Sequence, residues 1–169
     1  MSGLADLELQ LLNLACASLD AACQPVPALA NRYRYVSEPA VQNCCGDGVI
    51  YSYWSRTFPD RTGIPQGVGK PIGRQQADIF LRLFRCFPIL NADGSAPDGL
   101  DAASASLTND MDAIYFGLTK AICDGTLEPY LSGCDSLNLV DITPRQPRGG
   151  CAGLSVHLVA SWVPWTGNC

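Results

Sequence analysis

The chain has 169 residues, of which 47% are hydrophobic and only 16% charged, and its net charge is −5. This is enough apolar material for one domain with a real core, and too much for a disordered chain. The negative balance argues against binding along a nucleic-acid backbone, which needs clustered Lys and Arg, and no apolar run reaches the length of a membrane span.

Met1–Cys23 lacks the basic start and unbroken apolar stretch of a signal peptide, because Asp6 and Glu8 interrupt it, so synthesis without export is expected. Leu4, Leu7, Leu11, Leu14 and Ala15 recur instead at helical spacing. Ser2 is placed to cap that helix, and the two acids sit near its favourable N-terminal end. The helix should stop before Pro25-Val-Pro27. Residues 24–48 then read as irregular chain, with Tyr33, Tyr35 and Val36 as a short β segment and Cys44-Cys45-Gly46-Asp47-Gly48 as a turn.

Val49–Phe58, rich in aromatic and β-branched residues, predicts a strand. Pro59–Gln75 holds three prolines and four glycines and reads as a long connection. Ala77–Leu90 fits a strand returning beside the first, although a short apolar run of this kind is also compatible with a helix. Asn91–Asp98 is a loop, and Asp98 or Asp101 is placed to cap the next helix. Leu107, Met111, Ile114, Leu118 and Ile122 mark one face of that helix, which Gly125 ends.

The last third predicts a hairpin. Ser136–Thr143 and Cys151–Val163 flank a Pro/Gly-rich turn at Pro144–Gly150. In the second run Leu154, Val156, Leu158, Ala160 and Trp162 fall on one face, and Ser155, His157, Val159 and Ser161 on the other. Leu154, Val156, Leu158 and Ala160 should pack under the helix bearing Met111, Ile114 and Leu118. The order helix–strand–strand–helix–strand–strand predicts an α+β fold, a mostly antiparallel sheet with helices packed on one face. It is a single domain over 1–169, with a long loop at 59–75 and an aromatic tail at 162–169.

Charge is uneven along the chain. From Asn91 to Asp141 there are nine acids and one base, whereas from Arg32 to Arg85 there are eight bases and four acids. Solvated loops and helix faces account for any single one of these. As a set they suit identical subunits packing head to tail, with Arg61, Lys70 and Arg74 of the long loop and Trp162 and Trp165 of the tail as candidate contacts to a neighbour or partner. Asp101, Asp110, Asp112, Asp124 and Glu128 are then the candidate receiving surface, or the lining of a pore whose negative wall repels phosphate.

Nothing in the chain spells out catalysis. The single histidine, His157, shares a strand face with Ser155 and Ser161, but two-residue spacing along a strand does not aim a hydroxyl at an imidazole, so an ordinary surface or interface histidine is the better reading. Its replacement by Ala should leave assembly intact. Gly63–Pro71 is not a phosphate loop: Ile64 stands where a glycine is needed, and Pro71 follows Lys70 in place of Ser or Thr. Asp110 and Asp112, two apart on a helix, do not share a face and make no acid/base pair.

The nine cysteines are an odd number without a secretion signal, so they do not read as a fully paired framework. Cys16 and Cys123 fall within helices and read as small core residues. Cys44, Cys45 and Cys151 sit at strand entrances and can meet. A zinc site from Cys44, Cys45, Cys86 and Cys151 lacks CxxC spacing and needs adjacent cysteines on one ion. A disulfide from Cys151 to Cys44 or Cys45 is favoured over it, though cytosolic assembly would leave it reduced. No metal and no cofactor are expected.

The element order, the long loop between the first two strands, Cys44-Cys45-Gly46 before an aromatic strand and Gly149-Gly150-Cys151-Ala152-Gly153 before an alternating one give a chain that resembles the tail terminators of long-tailed phages, in particular those infecting actinobacteria. The resemblance covers most of Val49–Trp165. It implies a non-enzymatic virion protein at the neck, assembled in the host cytoplasm as a ring, usually a homohexamer. Such a ring caps the tail tube, joins it to the head–tail connector or stopper protein, and lets DNA pass without sequence-specific binding. Other neck components, a stopper or a head-completion protein, are similar in size. A small cytosolic thiol-dependent enzyme built on Cys44, Cys45 and Cys151 is the reading from another class.

Overall fold

The computed structural model describes residues 4–35, 37–39, 44–59, 75–130 and 137–162. Helix α1 spans Leu4–Ala21, and strand β1, Arg32–Tyr35, follows a short 3₁₀ turn at Leu29–Asn31. Strands β2 (Val49–Pro59) and β3 (Gln75–Cys86) come next, then helix α2 (Leu100–Cys123) and the closing strands β4 (Leu137–Arg148) and β5 (Cys151–Trp162). The expected order therefore holds, with β1 added at the Tyr33–Tyr35 segment. The ambiguous apolar run after the long loop is a strand. The Ser2 cap and the loop between β2 and β3 lie outside the described residues.

The five strands form one sheet in the order β1-β2-β3-β5-β4; β1 runs parallel to β2 and the other pairs are antiparallel. Both helices cover the same face, α1 over the β1–β3 side and α2 over β4 and β5, and they pack on each other. Period-two alternation decides what is buried. Ala77, Ile79, Leu81 and Leu83 of β3 and Leu154, Val156, Leu158 and Ala160 of β5 point to the helices and are essentially inaccessible to water. Ile114 and Leu118 of α2 and Leu7, Leu11, Ala15 and Leu19 of α1 close the core from above. Burying side chains of this size is worth about 1.5–3 kcal/mol each.

Three local expectations need correction. The hairpin turn is not Pro144–Gly150. Strand β4 continues through Pro144 and Pro147 to Arg148, and the turn is Gly149-Gly150 alone, both with positive φ (58° and 79°), as a tight hairpin turn requires. The prolines are tolerated because β4 is an edge strand whose outer amides need no partner in the sheet. Neither Asp98 nor Asp101 caps α2 through its side chain; Gly99, at φ 81°, occupies the N-cap. Cys123 is exposed, not a core residue, whereas Cys16 is buried as expected.

Candidate functional site

The face of the sheet away from the helices carries the chain's unusual chemistry. It is built by the outward-pointing residues of alternating strands: Tyr51 and Tyr53 of β2, Asp78, Phe80, Arg82 and Phe84 of β3, and Ser155 and His157 of β5. Cross-strand register sets Phe80 opposite His157 and Arg82 opposite Ser155. The rings form a continuous ladder. Tyr35 meets Tyr51 edge-on, Tyr51 stacks on Phe84, Tyr53 stacks on Phe80, and Phe80 stacks on the His157 imidazole at 4.5 Å between centroids. Burial pushes the Tyr51 and Tyr53 hydroxyls up to about 12, so both remain neutral phenols.

Two charged networks sit on this ladder. In the first, His157 Nε2 lies 3.0 Å from Asp78 Oδ1, and Arg56 donates to the other oxygen of Asp78. Burial works to raise the Asp78 carboxyl, but hydrogen bonds from Arg56 and His157, with their charges, hold it below its ordinary value. The second imidazole nitrogen is 3.9 Å from Asp141 Oδ2, so His157 stands between two carboxylates rather than against a nucleophile. In the second network Arg82 pairs with Glu38, which also accepts from Arg145 at 3.4 Å and from the Tyr53 hydroxyl at 3.3 Å. The Arg82 guanidinium lies over the Tyr53 ring at 5.1 Å and donates from Nε to Ser155 Oγ. Burial, then the nearby charge of Arg145, pushes Arg82 down to about 10, which leaves it fully charged at neutral pH. This arrangement fixes side chains firmly. Around His157 the contacts are with the Phe80 ring and the carboxylates of Asp78 and Asp141.

At one end of the same face four cysteines meet. Cys44 and Cys151 form a disulfide, with Cα atoms 5.8 Å apart. Cys86 is the register partner of Cys151 across β3 and β5, and its sulfur lies 3.2 Å from that of Cys45. The sequence brought Cys44, Cys45 and Cys151 together correctly, and the structure chooses Cys44 over Cys45 as the partner of Cys151. Two of the four sulfurs considered for zinc are thereby bonded to each other. Among the described residues, no three His, Cys, Asp or Glu side chains are grouped as a metal site.

The candidate contact residues are scattered. Arg61, Lys70, Arg74 and Trp165 lie outside the described residues. Trp162 ends β5 in register with Gln75. Asp101, Asp112, Asp124 and Glu128 are exposed. Asp101 and Asp112, eleven residues apart, differ by only about 20° around α2 and so share one of its faces. Asp124 is at the far end of α2, where its carboxylate accepts from the Thr126 hydroxyl and amide and is held below its ordinary value by those bonds. Asp110 is a correction. It is 0% exposed and ion-paired to Arg85, so it belongs to no pore wall or receiving surface.

A different surface feature borders α2. Between α2 and the edge strand β4 runs an open groove of about 560 Å³, lined by Met111, Tyr115, Ile122, Leu139, Val140 and Ile142 among others. A second, of about 440 Å³, continues it past Met111 toward the hairpin tip at Pro144 and Pro147. Tyr115 and Val140 are exposed at the groove's rim.

Sequence reasoning missed Glu38, Asp78, Arg82 and Arg85. The signal available was the pair of arginines inside an apolar strand: Arg82 falls on the aromatic face and Arg85 on the other, and burial of either demands an acidic partner.

No family model and no curated protein matches this chain. No helix among the described residues is long and apolar enough to cross a membrane.

Proposed function

We propose that this chain is a ring-forming structural subunit of a phage neck, the tail terminator that caps the tail tube and joins it to the head–tail connector, with DNA passing through the ring. The observation that carries the reading is the flank formed by α2 and β4. An edge strand and an apolar groove lie side by side there, with Tyr115 at 45% and Val140 at 52% exposure, and Asp112 on the same wall. Such a flank suits lateral packing of identical subunits, in which one patch meets a different patch on the next copy. The α+β architecture and the two Cys/Gly phrases support the same reading. So does the sheet face opposite α1 and α2, where the described charges are tied to one another: Arg56 and His157 to Asp78, and Arg82 and Arg145 to Glu38.

The test is assembly. Purified chain at micromolar concentration, sized by light scattering and imaged by electron microscopy, is expected to give closed rings with a central hole. A strictly monomeric chain that binds neither tail tube protein nor connector would overturn the proposal. A stopper or head-completion protein would also form a ring, and labelling its position in the virion separates these from a terminator. The cysteine cluster favours one second reading, a thiol-dependent protein, whose sign would be turnover of a disulfide substrate by the monomer.

A further inference from the structure

We propose that Cys45 and Cys86 form a second, reversible disulfide beside the Cys44–Cys151 bond, so that the adjacent cysteines of the 44–48 turn are stapled by two rungs to neighbouring strands. The placement is set by topology. β3 ends at Cys86 and β5 begins at Cys151, and the two are direct partners across the sheet. Their side chains therefore rise side by side from one face, and each meets one sulfur of the turn, Cys151 that of Cys44 and Cys86 that of Cys45. One of these matched pairs is already bonded. In the other the sulfurs are 3.2 Å apart, so an approach of about 1 Å reaches the bond length of about 2.05 Å.

The rungs differ in accessibility. Cys44 is 1% exposed and Cys151 half-buried, whereas Cys45 and Cys86 are both exposed. The inner bond is thus shielded, and the outer pair is open to a small disulfide such as oxidised glutathione. The step balances with that oxidant. One thiolate of the pair attacks a glutathione sulfur, forming a mixed disulfide and expelling one glutathione thiolate. The second cysteine, deprotonated, then attacks the bonded protein sulfur and expels the other. Two protein thiols are oxidised, one glutathione disulfide is reduced to two thiols, and the two protons pass to the leaving thiolates.

The staple acts on a structural hub. Arg85, adjacent to Cys86, donates to the Asp47 carbonyl of the same turn and to Pro25 O at 2.6 Å. Closing the outer rung therefore fixes the turn on which Arg85 depends. The inner bond closes a separation of 107 residues and the outer one 41, so both restrict the unfolded chain.

Non-reducing peptide mapping tests this. The full chain is equilibrated with oxidised glutathione, alkylated and cut with trypsin without reduction. Cleavage at the arginines and at Lys120 puts Cys44 and Cys45 on residues 35–56, Cys86 on 86–120 and Cys151 on 149–169. The expected product is all three peptides in one covalent species, collapsing on reduction. In Cys45→Ser, 86–120 should separate while 35–56 stays joined to 149–169. The oxidised wild type should also melt about 5 °C or more above Cys86→Ser. Recovery of 86–120 alone and alkylated from oxidised wild type would overturn the proposal. Its retention in Cys45→Ser would do the same, since the bond would then run to another cysteine.

Discussion

Arg85 of β3 and Asp110 of α2 form a two-pronged ion pair inside the protein, Nε to Oδ2 at 2.8 Å and Nη2 to Oδ1 at 3.0 Å, with the carboxylate wholly inaccessible to water. The pair joins the sheet to the helix that covers it. Its remaining donors hold the turn after Cys45 and the exit of α1. A buried charge left without its partner is costly, so Asp110→Ala should destabilise the fold by about 3–5 kcal/mol in urea unfolding. The double change Asp110→Leu with Arg85→Met should cost clearly less than Asp110→Ala alone. If the double variant were the worse of the two, the pair would be a net source of stability rather than a mutual neutralisation.

Glu8 makes stability depend on pH. It lies on the buried side of α1 at 4% exposure, and its Oε1 has no hydrogen-bond partner among the described residues. Burial raises its carboxyl from 4.5 to about 7, against the lowering charge of Arg34. The folded chain thus holds a proton there that the unfolded chain releases between those two values. Stability from this group is full below about pH 4.5, falls as pH rises toward 7, and is about 3 kcal/mol lower above it. Glu8→Gln should therefore be close to neutral at pH 4.5 and stabilising by about 2–3 kcal/mol at pH 8, read from denaturant midpoints at the two pH values.

Asp78 behaves in the reverse sense. Its carboxyl is held below its ordinary value by Arg56 and His157, so its contribution is present at neutral pH and lost as pH falls through the acid range below about 4. Asp78→Asn should cost about 1–2 kcal/mol at pH 7, and the gap to wild type should close toward pH 3. His157→Ala also removes the stack on Phe80 and should cost about 1 kcal/mol without affecting assembly. Equal destabilisation of Asp78→Asn at pH 7 and pH 3 would mean that shape, not charge, is what Asp78 supplies.

The pattern of these residues shows what a sequence can carry. The core face of β5 was legible because Leu154, Val156, Leu158 and Ala160 alternate without a break, and α2 because its apolar positions keep a helical period. The partners of Arg85 and Arg82 were not legible. Asp110 is 25 positions from Arg85, and Glu38 precedes the strand that carries Arg82, so only the sheet order brings them together. Asp110 resembled its exposed neighbour Asp112 in type and differed only in helical phase, a difference that grouping the acids by charge discarded. The strand through Pro144 and Pro147 was hidden for a similar reason: proline reads as turn until β4 is known to lie at the edge.

The edge itself supplies the last prediction. No described strand pairs with the outer side of β4, and an exposed edge is a template for another chain. Pro144 and Pro147 remove donors from its hairpin-proximal half, which leaves Leu137–Thr143 as the half able to pair. The register shift between Leu139 and Asp141 falls in this half and bulges the strand at Val140, beside the groove that Tyr115 and Met111 line. A second copy of the chain is the occupant that the ring proposal requires, contributing apolar side chains to the groove. Tyr115→Glu with Val140→Glu should leave the circular dichroism spectrum and melting midpoint within about 0.5 kcal/mol of wild type, because both side chains already face solvent. The same pair should convert rings to monomers on light scattering, since two charges would have to be buried at the subunit contact. Rings that persist unchanged in the double variant would remove this flank from the interface and leave the proposed function to stand on another surface.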